Sequence, residues 1–137
     1  MTAHRINLRG PWQLERGTKA AGSAQKVRLP ADWNSLFAGC SDPVRLTRTF
    51  HRPTNLGPEE EVDLIFEQWP GVWTISLNQR PVAEFRDSSA EKPQRITVTS
   101  LLQPTNTLSA ETLLDDRPGE SVDHGLVGAA ALEIRSP

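Results

Sequence analysis

Cysteine is almost missing from this chain. Cys40 stands alone among 137 residues, so no internal disulfide can form. That removes the usual mark of an oxidising compartment without fixing a cytosolic one. Beside Gly39, the thiol is read as free and placed at a turn. Long apolar runs are missing too, and no segment approaches the roughly 20 residues of a membrane-spanning helix. The opening Met1-Thr2-Ala3-His4-Arg5-Ile6-Asn7-Leu8-Arg9 has none of the apolar core of a secretory leader. A soluble chain, cytoplasmic by default, is therefore expected. An excess of one charge is also absent. Fifteen basic against seventeen acidic side chains leave a net charge of −2, which gives no electrostatic reason to expect nucleic acid or an anionic membrane as partner.

Helical periodicity is the fourth absence. No window keeps apolar residues at i, i+3, i+4 and i+7 for three turns. What recurs instead is alternation. Val44, Leu46, Arg48 and Phe50 share one side of an extended run; Val62, Leu64 and Phe66 share one side of the next; Trp73, Ile75 and Leu77 share one side of a third. Ile96 with Val98, and Leu132 with Ile134, repeat the pattern. Period two marks strands with one face in a core and one in water. Eleven prolines and nine glycines cut the chain into short pieces. Pro70-Gly71 suits the centre of a type II turn, and Asn78-Gln79-Arg80-Pro81 reads as a second reversal. Short strands without intervening helices imply an antiparallel β-sandwich. One brief helix is expected over Asp32 to Ala38, capped by Asp32 and ended near Gly39. Glu59-Glu60-Glu61 and the tract from Asp115 to Ser121 read as solvated loops. Residues 1–137 are taken as a single domain.

Few residues invite chemistry. His4, His51 and His124 share no ligand spacing, so a zinc site is not expected. Asp115, Asp116, Glu120 and Asp123 could together offer oxygens to calcium, but their spacing follows no defined loop, and a solvated acidic loop is the default. No other cofactor or metal is expected. Arg48 alternates with core positions, so a buried or half-buried guanidinium paired with a carboxylate, Asp32 or Asp63, is expected. Glu133, between Leu132 and Ile134, is placed in solvent. Trp73 falls on a core face. Trp69 differs: beside Pro70-Gly71 it is assigned to a connecting loop, either lying flat over the sandwich edge or contacting a ligand or another protein.

Six pieces in sequence carry a resemblance. They are Gly10-Pro11-Trp12-Gln13-Leu14, Val27-Arg28-Leu29-Pro30-Ala31-Asp32-Trp33, Leu46-Thr47-Arg48-Thr49-Phe50, Leu77-Asn78, the stretch from Val98 to Leu108, and Gly125 to Ile134. Together they resemble the N-terminal sugar-binding domain of family 2 glycoside hydrolases, the β-galactosidases, β-glucuronidases and β-mannosidases. The resemblance implies a galactose-binding-like jelly roll, with Trp12 and Trp33 packing over an end of the sandwich. It departs from the family pattern at Gln68 and Gln79, which stand where glycine is usual, and at Asp87-Ser88-Ser89, which replaces a glycine-rich loop. A non-glycine residue resists φ > 0, so an altered hairpin is expected at Asn78-Gln79.

Glycoside hydrolysis needs two carboxyl groups held across the scissile bond. In the family these lie on a (β/α)₈ barrel of about 250 residues, which this chain is too short to hold. The resemblance thus implies a stand-alone, non-catalytic module. Its first reading is weak carbohydrate binding by loops at one end, around Trp69, Arg86, Asp87 and Ser88. The alternative is a structural or protein-interaction module, docking on another chain or forming a homo-oligomer, with no sugar binding of its own.

Overall fold

A computed structural model describes residues 3–16, 25–32, 44–54, 56–88, 91–112 and 126–136. They form strands β1 (Ala3–Asn7), β2 (Trp12–Arg16), β3 (Gln25–Val27), β4 (Ala31–Asp32), β5 (Val44–His51) and β6 (Glu61–Glu67). After these come β7 (Trp69–Leu77), β8 (Arg80–Ser88), β9 (Gln94–Thr97), β10 (Thr105–Thr112), β11 (Leu126–Val127) and β12 (Ala129–Arg135), with a 3-10 turn at Thr99–Leu101. Four strands pair in the order β1-β12-β6-β9 and six in the order β3-β2-β5-β10-β7-β8, while β11 pairs with β4. Each of these pairs is antiparallel. The two larger sheets close over one core of Leu14, Leu46, Val62, Leu64, Phe66, Trp73, Ile75, Leu77 and Leu108 with their neighbours. This is the all-β, antiparallel sandwich that the alternation implied, with the jelly-roll arrangement that the resemblance implied.

The expected faces hold strand by strand. Val44, Leu46 and Phe50 of β5 turn inward, as do Val62, Leu64 and Phe66 of β6. The expected helix does not begin at Asp32, which lies in β4 against Leu126. Trp33 to Ala38 and Cys40 fall outside the described residues, as do Trp33's expected packing and the state of the thiol. Glu59 is exposed, but the acidic run is not all loop. Glu60 accepts a bond from the Gly57 amide at 2.7 Å and Glu61 opens β6.

Pro70-Gly71 is not the turn that the sequence suggested. Both residues lie inside β7, where the pairing with β8 slips between Trp69 and Val72 and Gly71 takes φ 88°. An extra residue in one strand makes a bulge, and a glycine absorbs the positive φ it needs. The chain passes between sheets one residue earlier. Gln68, at φ 61°, alone separates β6 of one sheet from β7 of the other. Its carbonyl accepts a bond from the Gly128 amide at 2.9 Å. Gly128 itself has φ +94°, and a β-carbon there would meet a Leu29 methyl at 3.2 Å. No side chain fits that corner without moving Leu29.

The β7–β8 hairpin is tight despite its missing glycine. Asn78 at φ 53° and Gln79 at φ 69° form a two-residue reversal with both residues left-handed, the geometry of a type I′ turn. Asn78 is held by long-range partners. Its side-chain oxygen accepts from the Thr107 amide at 2.9 Å, and its Nδ2 donates to Asn106 Oδ1 at 3.0 Å. Asn106 is fully buried and also exchanges two bonds with the Gln103 backbone. Thus the Leu77-Asn78 piece and the Asn106-Thr107-Leu108 piece, distant in sequence, are one hydrogen-bonded unit. Gln79 has no such compensation among the described residues. A left-handed non-glycine residue costs about 1–2 kcal/mol, and glycine gives back about 0.5–1 kcal/mol through its freer unfolded chain. Gln79→Gly is therefore expected to stabilise the fold by about 0.5–1 kcal/mol, read as a higher denaturant midpoint. An unchanged or lower midpoint would contradict this.

Candidate functional site

The expected ligand platform does not exist as drawn. Trp69 is 1% exposed and sits at the head of β7, with Nε1 donating to the Ala129 carbonyl at 2.8 Å. Its ring meets Trp73 edge-on at 4.8 Å, Phe66 at 5.3 Å and Trp12 at 6.5 Å. Edge-to-face contacts among so many rings bind an aromatic cluster tightly, and a face engaged this way has no surface left for a sugar. The sequence reading of Trp69 as a loop residue is thereby corrected. Alternation carried two steps back from Trp73 through Gly71 to Trp69 would have found it. Trp12, expected to pack over an end of the sandwich, lies in the core cluster, its Nε1 donating to the Leu8 carbonyl at 2.7 Å.

Arg86, Asp87 and Ser88 are strand rather than loop, forming the end of β8. Ser88 lies opposite Trp69 and Arg86 opposite Val72, so the backbone does bring three of these candidates to one end of the hairpin. Arg86 is exposed there. The side chains of Asp87 and Ser88, residues 89 and 90, and the calcium candidates Asp115, Asp116, Glu120 and Asp123 lie outside what is described. Among the described residues no group of three or more His, Cys, Asp or Glu side chains is placed to hold a metal.

The two outer faces differ sharply. On the six-stranded sheet the outward side chains include Thr47, Ser109 and Ser76 in one cross-strand row. The Arg45–Glu111 contact of 3.0 Å there joins two largely exposed groups. Such a pair contributes little to stability. The four-stranded sheet instead carries a continuous ionic lattice. Register places Arg5, Glu133, Asp63 and Thr97 in one row across β1, β12, β6 and β9.

Asp63 is the centre of that lattice and is fully buried. It accepts from Arg95 Nη1 at 2.8 Å, Arg135 Nε at 2.6 Å and Thr97 Oγ1 at 2.7 Å. Burial works to raise its pKa. The hydrogen bonds from Arg135, Arg95 and Thr97, with the Arg135 charge, outweigh burial and hold it below the ordinary 3.8. Glu133 is not the solvent residue expected. It faces away from the core, yet its side chain is only 13% exposed, bonding Arg95 at 2.7 Å and Arg5 at 3.4 Å. The Arg95 bond chiefly lowers its pKa.

Arg48 is half-buried on the inward side of β5, as expected, but Asp63 is not its partner, and the Asp32 side chain lies outside what is described. Nη1 donates to the Thr49 carbonyl at 3.0 Å, and the enclosed Nε has no hydrogen-bond partner among the described residues. Burial lowers its pKa.

Between the rows of the lattice the sheet dips. A shallow hollow of about 100 Å³ opens over Ile65, Ala129 and Ala131, with Arg5, Asn7 and Glu67 around it. Asn7, Ala131 and Ile65 are cross-strand neighbours, so alanine in the middle strand is what leaves the depression. Arg5 spans it to reach Glu67 at 3.3 Å. Sequence reading missed this place because it depends on the pairing of β1, β12 and β6, which no local pattern encodes.

No protein-family model matches the chain, and no curated protein matches it in sequence. Solved structures do match in shape. A β-glucuronidase of Bacteroides uniformis matches at TM-score 0.75 and 17% identity, over 98% of this chain and 18% of that one. A β-D-glucuronidase of Dictyoglomus thermophilum gives TM-score 0.77 and 10% identity, over 98% and 28%. A GH2 β-galacturonidase of Eisenbergiella tayi gives 0.70 and 12%, over 98% and 25%. The chain therefore spans less than a third of these longer proteins. It has the fold of a part of these glucuronidase and galacturonidase chains.

Proposed function

We propose that this chain is a non-catalytic, carbohydrate-binding-like β-sandwich module. One observation carries the reading: 98% of the chain matches a single part of solved glycosidase chains three to five times its length. Two carboxyls that register brings side by side, Asp63 and Glu133, argue against turnover as a catalytic pair. Glycosidases set one carboxyl as acid and the other as base or nucleophile by pushing their pKa values apart. Here both are lowered and both are bonded to arginine, so neither keeps a proton to donate near neutral pH.

The second reading is a structural or protein-interaction module, including self-association. The burial of Trp69 favours it, because the sugar reading loses its one aromatic platform. The two are separated by titrating the ¹⁵N-labelled protein with galactose and with glucuronate while following backbone amide shifts. Three of the tryptophans are buried, so indole fluorescence is the wrong probe. Carbohydrate recognition predicts saturating shifts with Kd on the order of millimolar, since a shallow site leaves little surplus after ordering costs. No movement with either sugar up to tens of millimolar would end the sugar reading. A concentration-dependent mass in sedimentation would then favour assembly.

A further inference from the structure

We infer that β1 is a docking edge for a second copy of this chain, the two β1 strands pairing antiparallel about a two-fold axis at Ile6. The inference rests on the self-association reading above and is independent of sugar binding. Two features of the sandwich carry it: which of its edges are guarded, and where one of its apolar rows ends.

Each large sheet ends in two outer strands, β1 and β9 on one, β3 and β8 on the other. An outer strand offers unpaired N–H and C=O groups to another chain, and proteins blunt such edges with brevity, proline, bulges or charge. β3 has three residues. β9 has four, follows Pro93 and carries an exposed Arg95. β8 is long, but it contains Pro81, its register slips against Ile75 and Ser76, and it exposes Glu84 and Arg86. β1 has no proline and pairs with β12 without a slip from Ala3 to Asn7. Its arginine does not guard it, because the Arg5 guanidinium is drawn back across the sheet to Glu133 at 3.4 Å and Glu67 at 3.3 Å.

The backbone groups of that edge can be assigned. The Leu8 amide donates to the Ala130 carbonyl at 2.9 Å, so Leu8 faces β12. Along an antiparallel strand the N–H and C=O of every second residue point the same way. Ile6 and His4 therefore also bond towards β12, while Arg5 and Asn7 turn theirs to the open side. Ile6 lies opposite Leu132, Leu132 opposite Leu64, and Leu64 opposite Ile96. Leu132 and Leu64 are buried, but the row runs out at Ile6, which is 38% exposed and the one large apolar side chain exposed among the described residues. A second copy completes both patterns at once. With Arg5 opposite Asn7 of the copy, and Asn7 opposite Arg5 of the copy, each pair exchanges two backbone bonds. Ile6 then meets its own counterpart at the non-hydrogen-bonded position, where side chains come closest. The neighbouring register would set Arg5 against Arg5, and like charges directly opposite are unfavourable. Strands of five residues bury less than a stable dimer needs, so association is weak, with Kd about 100 μM.

Sedimentation of the whole chain from about 10 μM to 1 mM is expected to show the mass climbing from 15.2 kDa towards that of two chains. Hydrogen exchange on the ¹⁵N-labelled protein reads the edge itself. Protection of the Arg5 and Asn7 amides should rise with concentration, while that of Ile6 stays unchanged. Ile6→Lys sets a charge on the two-fold axis, and Asn7→Pro removes an outward N–H without taking a bond from β12. Each is expected to weaken dimerisation about tenfold or more. Both positions are exposed, and should one variant fail to fold, the other decides. A dimer that survives either substitution would overturn the pairing. So would protection that rises along β8 instead, or that is already complete at Arg5 and Asn7 in the most dilute sample. In those cases a climbing mass leaves self-association standing by another surface. The mass of one chain at every concentration would end the proposal together with the self-association reading beneath it.

Discussion

Trp69→Ala is expected to cost about 3–5 kcal/mol, the range for removing a large buried aromatic. Three things are lost at once. The ring leaves a void among Trp12, Phe66 and Trp73, its edge-to-face contacts disappear, and the Ala129 carbonyl loses its 2.8 Å donor. Domains of this kind are stable by only about 5–15 kcal/mol, so the variant should melt far below the parent or fail to fold. Trp69→Phe keeps most of the volume and isolates the hydrogen bond, with an expected loss nearer 1–2 kcal/mol. Chemical denaturation of both variants checks the order. A Trp69→Ala protein as stable as the parent would show that the residue is not core.

The second large effect belongs to Asp63. Asp63→Asn keeps the shape but removes the charge that gathers Arg95, Arg135 and Thr97. Breaking a buried ion pair costs about 3–5 kcal/mol when the remaining charge is trapped. Both arginines here are 41% exposed and can turn to water, so about 2–3 kcal/mol is expected. The pH dependence follows from the lowered pKa values. A carboxyl whose folded pKa lies below its unfolded one stabilises the fold above the unfolded value, and that stability drains away as pH falls through the folded value. For Asp63 and Glu133 the loss begins as pH drops through the ordinary 3.8 and 4.5 and continues below them. Stability measured from pH 7 to pH 2 should fall steeply in that acid range, and the fall should be shallower in Asp63→Asn. Equal acid slopes for both proteins would refute the linkage.

Much of this architecture was readable from residue order alone, and the reason is periodicity. Leu46 and Phe50, Val62 to Phe66, and Trp73 to Leu77 repeat every second residue because one side of each strand must leave water. Leu77-Asn78 and Asn106-Thr107-Leu108 were recognisable as separate pieces. Their meaning appears only when Asn78 and Asn106 meet at 3.0 Å. The failures are equally physical. Pro70-Gly71 has the chemistry of a turn and equally that of a bulge. Only the partner strand decides between them, so Trp69 was assigned to the wrong environment. Glu133 was correctly turned away from the core, but its solvent was replaced by Arg95 and Arg5. Cross-strand register sets those neighbours, and a one-residue slip would have changed them all. The same dependence on register hid the alanine hollow.

One pairing has a practical meaning for whatever polypeptide adjoins this sandwich. Ala3 lies opposite Arg135 where β1 runs against β12. Segments entering and leaving the body therefore pass the same corner, a few ångströms apart. A flexible tether of a handful of residues could splice the two into a cyclic backbone without bending either strand. A tag or neighbouring body fused at either side would crowd the other, and both would hang beside the lattice of arginines and carboxylates rather than over the hairpin tip at Gln79.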